Sequence, residues 1–405
     1  MERTRNVALI RWMDDTGTRT RELTDAVNDA VRELTGRQGQ VTERTVMKWR
    51  SGETRRPQSV QRAALRAVTG LTDQQLGFAV RRRNFIATAA AVSTVPLLGA
   101  RPSVGTCDVI RLREGMDALT HLDQRRGGHA ALERSALAGA TEAVALQQKA
   151  ASQTIRQRLF SVAANYTAAA AWSCIDARHN SRAQAHLNEA LRLAGMAQDP
   201  IAQMRVWNST AILAHQRGDA GEVIAAAHAA QATAITRRDP LFASLAHART
   251  AIGHAQHGDR QAALRSLGHA EDALTRAQPQ PRPGWIAFYG PAELHALTGL
   301  IRNQLADPAN AEAAAHRALA ALPAAYRRNR AMTTMDLATA QLHQGDVEQA
   351  CTTTEGVFTL MSGSPLPGRL RVLLGDYYRE LLTLAPSAQI AREWGDRYRS
   401  QWSPS

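Results

Sequence analysis

Gln216-Arg217-Gly218-Asp219-Ala220-Gly221-Glu222-Val223 reads as the end of one helix, a tight turn and the start of a second helix. The same turn recurs as Gly258-Asp259, 40 residues on, and as Gly345-Asp346. Asp307 falls between them, 48 residues after Asp259 and 39 before Asp346. Counting back 40 from Asp219 reaches His179, in Arg178-His179-Asn180. The longer step contains an insertion, Gln278-Pro279-Gln280-Pro281-Arg282-Pro283-Gly284. A second marker agrees, because Asp199-Pro200 and Asp239-Pro240 are also 40 apart and each suits the opening of a helix.

Counting from the turn residue exposes columns. Eight before it stand Ala171, Ala211, Ala251, Gly299 and Ala338. Four after it come Ala183, Val223, Ala263, Ala311 and Ala350, and eleven after it Ala190, Ala230, Ala270, Ala318 and Val357. Small residues at fixed depths let two helices approach closely. Three columns in one register across five units are more than an Ala-rich composition supplies.

This spacing, with Gly-Asp between the first two small positions, resembles the tetratricopeptide repeat over residues 155–385, with Arg369–Leu384 as a capping helix. It departs from that family in its period of 40, against roughly 34, and in lacking most of the large aromatic positions. The resemblance implies an α-solenoid whose first helices line a concave groove. Carried over, the groove positions are Asn165, Arg205, Asn208, His215, Gln216, Gln256, Glu293, Asn303 and Gln304. The column Gln216, Gln256, Gln304 offers amides that both donate and accept, which suits the backbone of an extended peptide.

The chain has 405 residues, 44% hydrophobic but 5% aromatic, and is rich in good helix formers, so the expected class is all-α. Its formal net charge of +13 favours a polyanionic partner, nucleic acid first. Three cysteines, Cys107, Cys174 and Cys351, stand too far apart for a metal knuckle and too few for a disulfide scaffold. That usage fits a reducing cytoplasm, where we expect the protein to act. No apolar run reaches the roughly 18 residues of a membrane span, so stable membrane insertion is not expected.

Residues 1–80 differ from the rest, being polar and basic with short helical patterns. From Arg21 an amphipathic helix puts Leu23, Ala26, Val27, Ala30, Val31 and Leu34 on one face. Gly36-Arg37-Gln38-Gly39-Gln40 breaks it, and Thr42 is a good N-cap for the next helix. There Val46 and Trp49 point inward, leaving Thr42, Arg44, Thr45 and Lys48 outside. Residues 44–66 hold seven basic side chains against one acid, Glu53.

A core helix, a turn and a second helix with a basic outer face follow the logic of a helix-turn-helix, whose second helix fits the major groove. Val41 to Glu53, with Arg62 to Phe78, resembles the Xre-type helix-turn-helix that actinobacterial regulators carry ahead of tetratricopeptide repeats. Arg50 stands where that family more often has Glu. The implied DNA-binding residues are Thr42, Arg44, Thr45, Lys48, Arg50, Arg55 and Arg56, with Arg62 and Arg66 as further phosphate contacts.

Between the two regions, residues 81–106 form a basic, Ala-rich linker. Arg81-Arg82-Arg83-Asn84-Phe85-Ile86 and the run to Ala100 resemble a twin-arginine export signal, but such signals work at an amino terminus and here a module precedes them. The linker reading is preferred. The export and membrane roles stay open.

Catalytic motifs are lacking: the sequence has no GxxxxGK[ST], GxGxxG on a strand, HExxH or GxSxG. His254 with His257, and His186 with Glu189, have helical metal spacing but no third ligand nearby in sequence, and read as exposed polar residues. No cofactor, metal or catalytic residue is expected, and the protein is not expected to be an enzyme. The function expected is a DNA-binding transcription regulator acting as a homodimer: residues 1–80 bind double-stranded DNA, and residues 107–405 sense a peptide or protein, dimerise, or both. The alternative is a helical-repeat adaptor acting by protein contact without DNA.

Overall fold

The computed structural model describes residues 5–78, apart from 17, 36–37, 70, 72 and 74–75, and residues 104–402, apart from 127–129 and 363–365. Every regular element among the described residues is a helix, as the composition requires. The chain divides into two units, Met1–Pro96 and Leu97–Ser405. The linker expected over 81–106, with its arginine cluster, lies outside the described residues as far as 103.

Among its described residues the first unit has four helices: α1 (Val7–Thr16), α2 (Thr20–Thr35), α3 (Glu43–Arg50) and α4 (Ser59–Thr69). Leu9, Leu23, Val27, Val46, Trp49, Leu65 and Leu76 form its core, each with no exposed surface. Two asparagines tie the core together. Asn28 on α2 clamps the approach to α3, its Nδ2 donating to Val41 O and its Oδ1 accepting from Val41 N, both at 2.9 Å. A Cβ at Gly39 would stand 2.6 Å from Asn28 Cα, so glycine permits that close approach. Asn6 caps α1 through Leu9 N and donates to Leu76 O at 2.9 Å, closing the unit end to end.

The second unit opens with α5 (Thr106–Arg126) and α6 (Ala130–Ala145). Five pairs follow: α7 (Gln153–Asp176) with α8 (Asn180–Ala197), and α9 (Pro200–Arg217) with α10 (Ala220–Ala232). After the short α11 (Ala234–Arg238) come α12 (Pro240–Gln256) with α13 (Arg260–Thr275), α14 (Pro291–Gln304) with α15 (Pro308–Ala321), and α16 (Arg327–His343) with α17 (Val347–Met361). Two more helices, α18 (Gly368–Leu384) and α19 (Gln389–Trp402), end the series. The members of each pair pack on each other, and the first helices contact those of neighbouring pairs.

The register read from the sequence is the register of the fold. His179, Asp219, Asp259, Asp307 and Asp346 are the N-caps of α8, α10, α13, α15 and α17. The residue before each is left-handed: Gly218, Gly258 and Gly345 at φ of 80°, 84° and 91°, but also Arg178 at 64° and Ala306 at 52°. The turn geometry therefore persists where the glycine does not, at the strain a Cβ brings there. All fifteen residues of the three small columns are buried. At Gly299, for instance, a Cβ would meet Ala311 O at 3.4 Å. Asp199 and Asp239 cap α9 and α12 with their side chains, each followed by Pro at the first helical position.

Candidate functional site

In the first unit, α3 carries the expected outer face. Thr42 and Thr45 form a reciprocal capping box at its start. With Val46 and Trp49 fully buried, Arg44 is exposed and Lys48 half-exposed. Lys48 Nζ lies 3.0 Å from Glu53 Oε1, an exposed pair of little energetic weight that a stronger anion can displace. Arg55 and Arg56 are exposed in the turn that follows. The remaining arginines serve the fold. Arg50 Nη1 donates to Thr20 Oγ1 on α2 at 3.0 Å, and Asp73 holds Arg62 at 3.1 Å and Arg66 at 3.6 Å. Phosphate binding by Arg62 and Arg66 would thus compete with an internal carboxylate.

In the second unit, α7, α9, α12, α14 and α16 wall a cavity of about 410 Å³, completed by α5 and α18. The two ends of the helix series meet here. Arg328 on α16 reaches Asp176 on α7 at 2.9 Å and Asp123 on α5 at 3.5 Å. Gly368, opening α18, lies against the α7 terminus so closely that a Cβ would stand 2.8 Å from Ala177 C and O.

The guanidiniums of Arg205, Arg249 and Arg369 meet neutral hydrogen-bond acceptors or aromatic rings in the cavity. Arg205 Nη1 donates to Asn165 O and Oδ1 at 3.1 Å and lies 5.9 Å from the Trp285 ring centre. Arg249 Nε donates to Asn208 Oδ1 at 2.9 Å. Arg369 sits 5.6 Å from the Trp172 ring centre. Burial lowers all three, Arg205 and Arg249 to about 10. Against the same cost of burial, Asp176 and Asp123 hold Arg328 above its ordinary value.

Four of the cavity acids split into two groups. Asp123 and Asp176 share Arg328, and Trp172 Nε1 donates to Asp123 Oδ2 at 3.2 Å. Burial still leaves Asp123 raised. Glu293 accepts from Asn329 Nδ2 at 3.1 Å and is raised by burial. Burial and the neighbouring Glu293 push Asp336 up to about 7, with Arg369 opposing. Arg205, Arg249 and Arg369 offer the cavity guanidinium donors, and Trp172, Trp285 and Phe288 give it flat apolar walls. It suits a compact ligand with an apolar body and an anionic group.

Of the groove residues expected from sequence, Arg205, Asn208, His215, Gln216 and Glu293 line this cavity. Asn165 lies behind Arg205. The glutamine column is engaged between repeats: Gln216 Nε2 donates to Ile175 O at 3.3 Å, and Gln256 Oε1 lies 2.8 Å from His215 Nδ1. Asn303 Nδ2 donates to Asp336 O at 2.9 Å, while Gln304 Oε1 is buried without a hydrogen-bond partner. Gln216, Gln256 and Asn303 thus bridge neighbouring helices, Gln216 while also lining the cavity.

Sequence reasoning missed Arg249, Asp336 and Arg369 as cavity residues, and the part played by the insertion. A lone guanidinium in the Ala-rich α12 was the available signal for Arg249. Arg282 pins the insertion to the α12 N-cap through Asp239, with Nε 2.7 Å from Oδ2 and Nη2 2.9 Å from Oδ1. That contact brings Trp285 and Phe288 to the cavity wall.

The histidine expectations divide. Glu189 pairs with Arg192, not with His186. His186 Nε2 instead lies 3.0 Å from Glu133 Oε1. No helix of the described residues is long and apolar enough to cross a membrane. The chain matches no family model and no curated protein.

Proposed function

We propose that the chain is a DNA-binding transcription regulator whose helix-turn-helix reads double-stranded DNA and whose tetratricopeptide-like repeats bind a short peptide in the central cavity. The carrying observation is the division of labour on α3. Val46 and Trp49 hold it into the core while Arg44 and Lys48, with Arg55 and Arg56 just beyond, stay outward. Such a helix offers guanidinium and ammonium groups to base edges and phosphates together. One small module supplies little specificity, which supports binding as a homodimer on a two-fold site. The protein would act in the cytoplasm, where DNA and reduced cysteines coexist.

A cavity of about 410 Å³ accommodates a short peptide or a peptide end rather than a folded protein, which narrows the partner class. Ligand binding between α7 and α16–α18 would tighten the closure of the repeat series and so alter DNA affinity. The test is binding of the full-length chain to genomic DNA fragments over a salt series. DNA recognition gives affinity that falls steeply and linearly on logarithmic axes as salt rises. A full-length protein that ignores DNA even at low salt would overturn the reading in favour of an adaptor.

A further inference from the structure

We propose that Glu133, Cys174 and His186 form a zinc(II) site in the wall of the repeat unit, distinct from the central cavity. The three residues come from successive helices, α6, α7 and α8, and no sequence spacing announces them. A carboxylate oxygen, the Cys174 Sγ and a ring nitrogen of His186 all lie within 4.8 Å of one another. Tetrahedral zinc, with bonds of about 2.0–2.3 Å, needs its ligand atoms roughly 3.3–3.7 Å apart. The His186 Nε2 to Glu133 Oε1 distance of 3.0 Å is therefore within a few tenths of an ångström of a coordination edge.

The donor set selects the metal. Thiolate with imidazole and one carboxylate suits zinc, whereas calcium and magnesium take oxygen ligands. Three protein ligands leave a fourth position open, and the 20% exposure of His186 marks the side from which an ion enters. Glu133 and Cys174 are themselves buried.

Arg182 supports the site from outside the ligand set. Its Nη2 lies 2.5 Å from Glu133 Oε2, the oxygen turned away from His186, and 4.0 Å from Cys174 Sγ. It thus orients the carboxylate, as outer-sphere partners of metal ligands do, and offers a positive charge to a thiolate. When zinc binds, the Cys174 Sγ–H bond breaks, its electron pair forms the zinc–sulfur bond, and the proton passes to solvent.

Location gives the site a consequence. Trp172 and Asp176 lie two residues to either side of Cys174, and Leu132 adjoins Glu133; all three line the central cavity. Zinc would therefore staple α6, α7 and α8 behind the cavity wall, whatever the cavity binds.

Cobalt(II) is the probe, added in equimolar amount to full-length, untagged, chelator-stripped protein. The expected result is a near-ultraviolet thiolate-to-cobalt absorption band with the visible bands of tetrahedral cobalt, both abolished by one equivalent of zinc. Cys174→Ser should remove the thiolate band and weaken zinc binding by more than about 100-fold. His186→Ala, at a partly exposed position, should remove the tetrahedral bands while leaving the helical circular dichroism unchanged, which separates loss of the site from loss of folding. A folded wild-type chain without a thiolate band overturns the proposal. So does a band that survives Cys174→Ser.

Discussion

Arg328 Nη1 lies 2.9 Å from Asp176 Oδ2, an ion pair that joins two helices 152 residues apart in the chain. Asp176 is 1% exposed, and the pair sits where α16 faces α7 across the cavity. Removing a guanidinium from a buried carboxylate costs about 3–5 kcal/mol, because the carboxylate loses that charge while staying desolvated. Arg328→Ala should therefore lower the urea midpoint of the repeat unit markedly, and Arg328→Lys should recover part of the loss. Equal stability of wild type and Arg328→Ala would show that the pair does not hold the helix series closed.

The contact of Gly368 with the end of α7 tests the same closure sterically. Gly368→Ala places a methyl group 2.8 Å from backbone atoms of Ala177, which cannot swing aside as a side chain can. Overpacking of this kind costs about 1–3 kcal/mol. The expected outcome is a lower melting temperature together with faster proteolysis at α18. An unchanged melting curve would mean that α18 shifts freely.

Asp336 makes stability depend on pH. In the fold its carboxyl is raised to about 7, whereas unfolded aspartate titrates near 4. The folded state therefore keeps its proton where the unfolded chain has released it, and stability falls as pH rises from about 4 to 7. Asp336→Asn removes that dependence. The melting temperature of the variant relative to wild type should rise between pH 5 and pH 8; a constant difference would remove Asp336 as the cause.

On the proposed DNA-reading face, charge removal separates two roles. Arg44→Ala or Lys48→Ala should relax sequence preference and cost about 1–3 kcal/mol on the preferred site. Arg55→Ala and Arg56→Ala should weaken all sequences alike and reduce the salt slope by about 1 each. Arg62→Ala should affect DNA less and stability more, since Asp73 already holds that guanidinium. Mobility shifts on specific and random duplexes decide each case.

Trp49 separates fold from function in the same unit. It is fully buried against Phe78, edge to face with ring centres 6.4 Å apart. Trp49→Ala should cost about 3–5 kcal/mol, enough to unfold a small unit, while the repeat helices remain. Two separate transitions by circular dichroism are expected to become one.

The turns and small columns were legible because they follow from local chemistry. An aspartate that caps a helix, a left-handed residue before it and a small side chain at a fixed depth are each set within about one helical pair. That is why the register from Ala171 to Val357 could be read directly, and why Val46 and Trp49 could be turned inward. Groove residues were legible only in part. Arg205, Gln216 and Glu293 follow the repeat to the cavity wall, Gln216 also donating to a backbone carbonyl, whereas Gln256 meets His215 between repeats.

By itself the sequence determined helices, their pairing and the basic face of α3, since periodicity and capping act between near neighbours. Tertiary structure decided the cavity and the metal-like cluster. Arg328 meets Asp176, Arg282 carries Trp285 and Phe288 to the wall, and Glu133 meets Cys174 and His186 only once the helices have stacked. Those meetings join side chains from different helices, as far as 152 residues apart, so no local pattern of capping or periodicity encodes them.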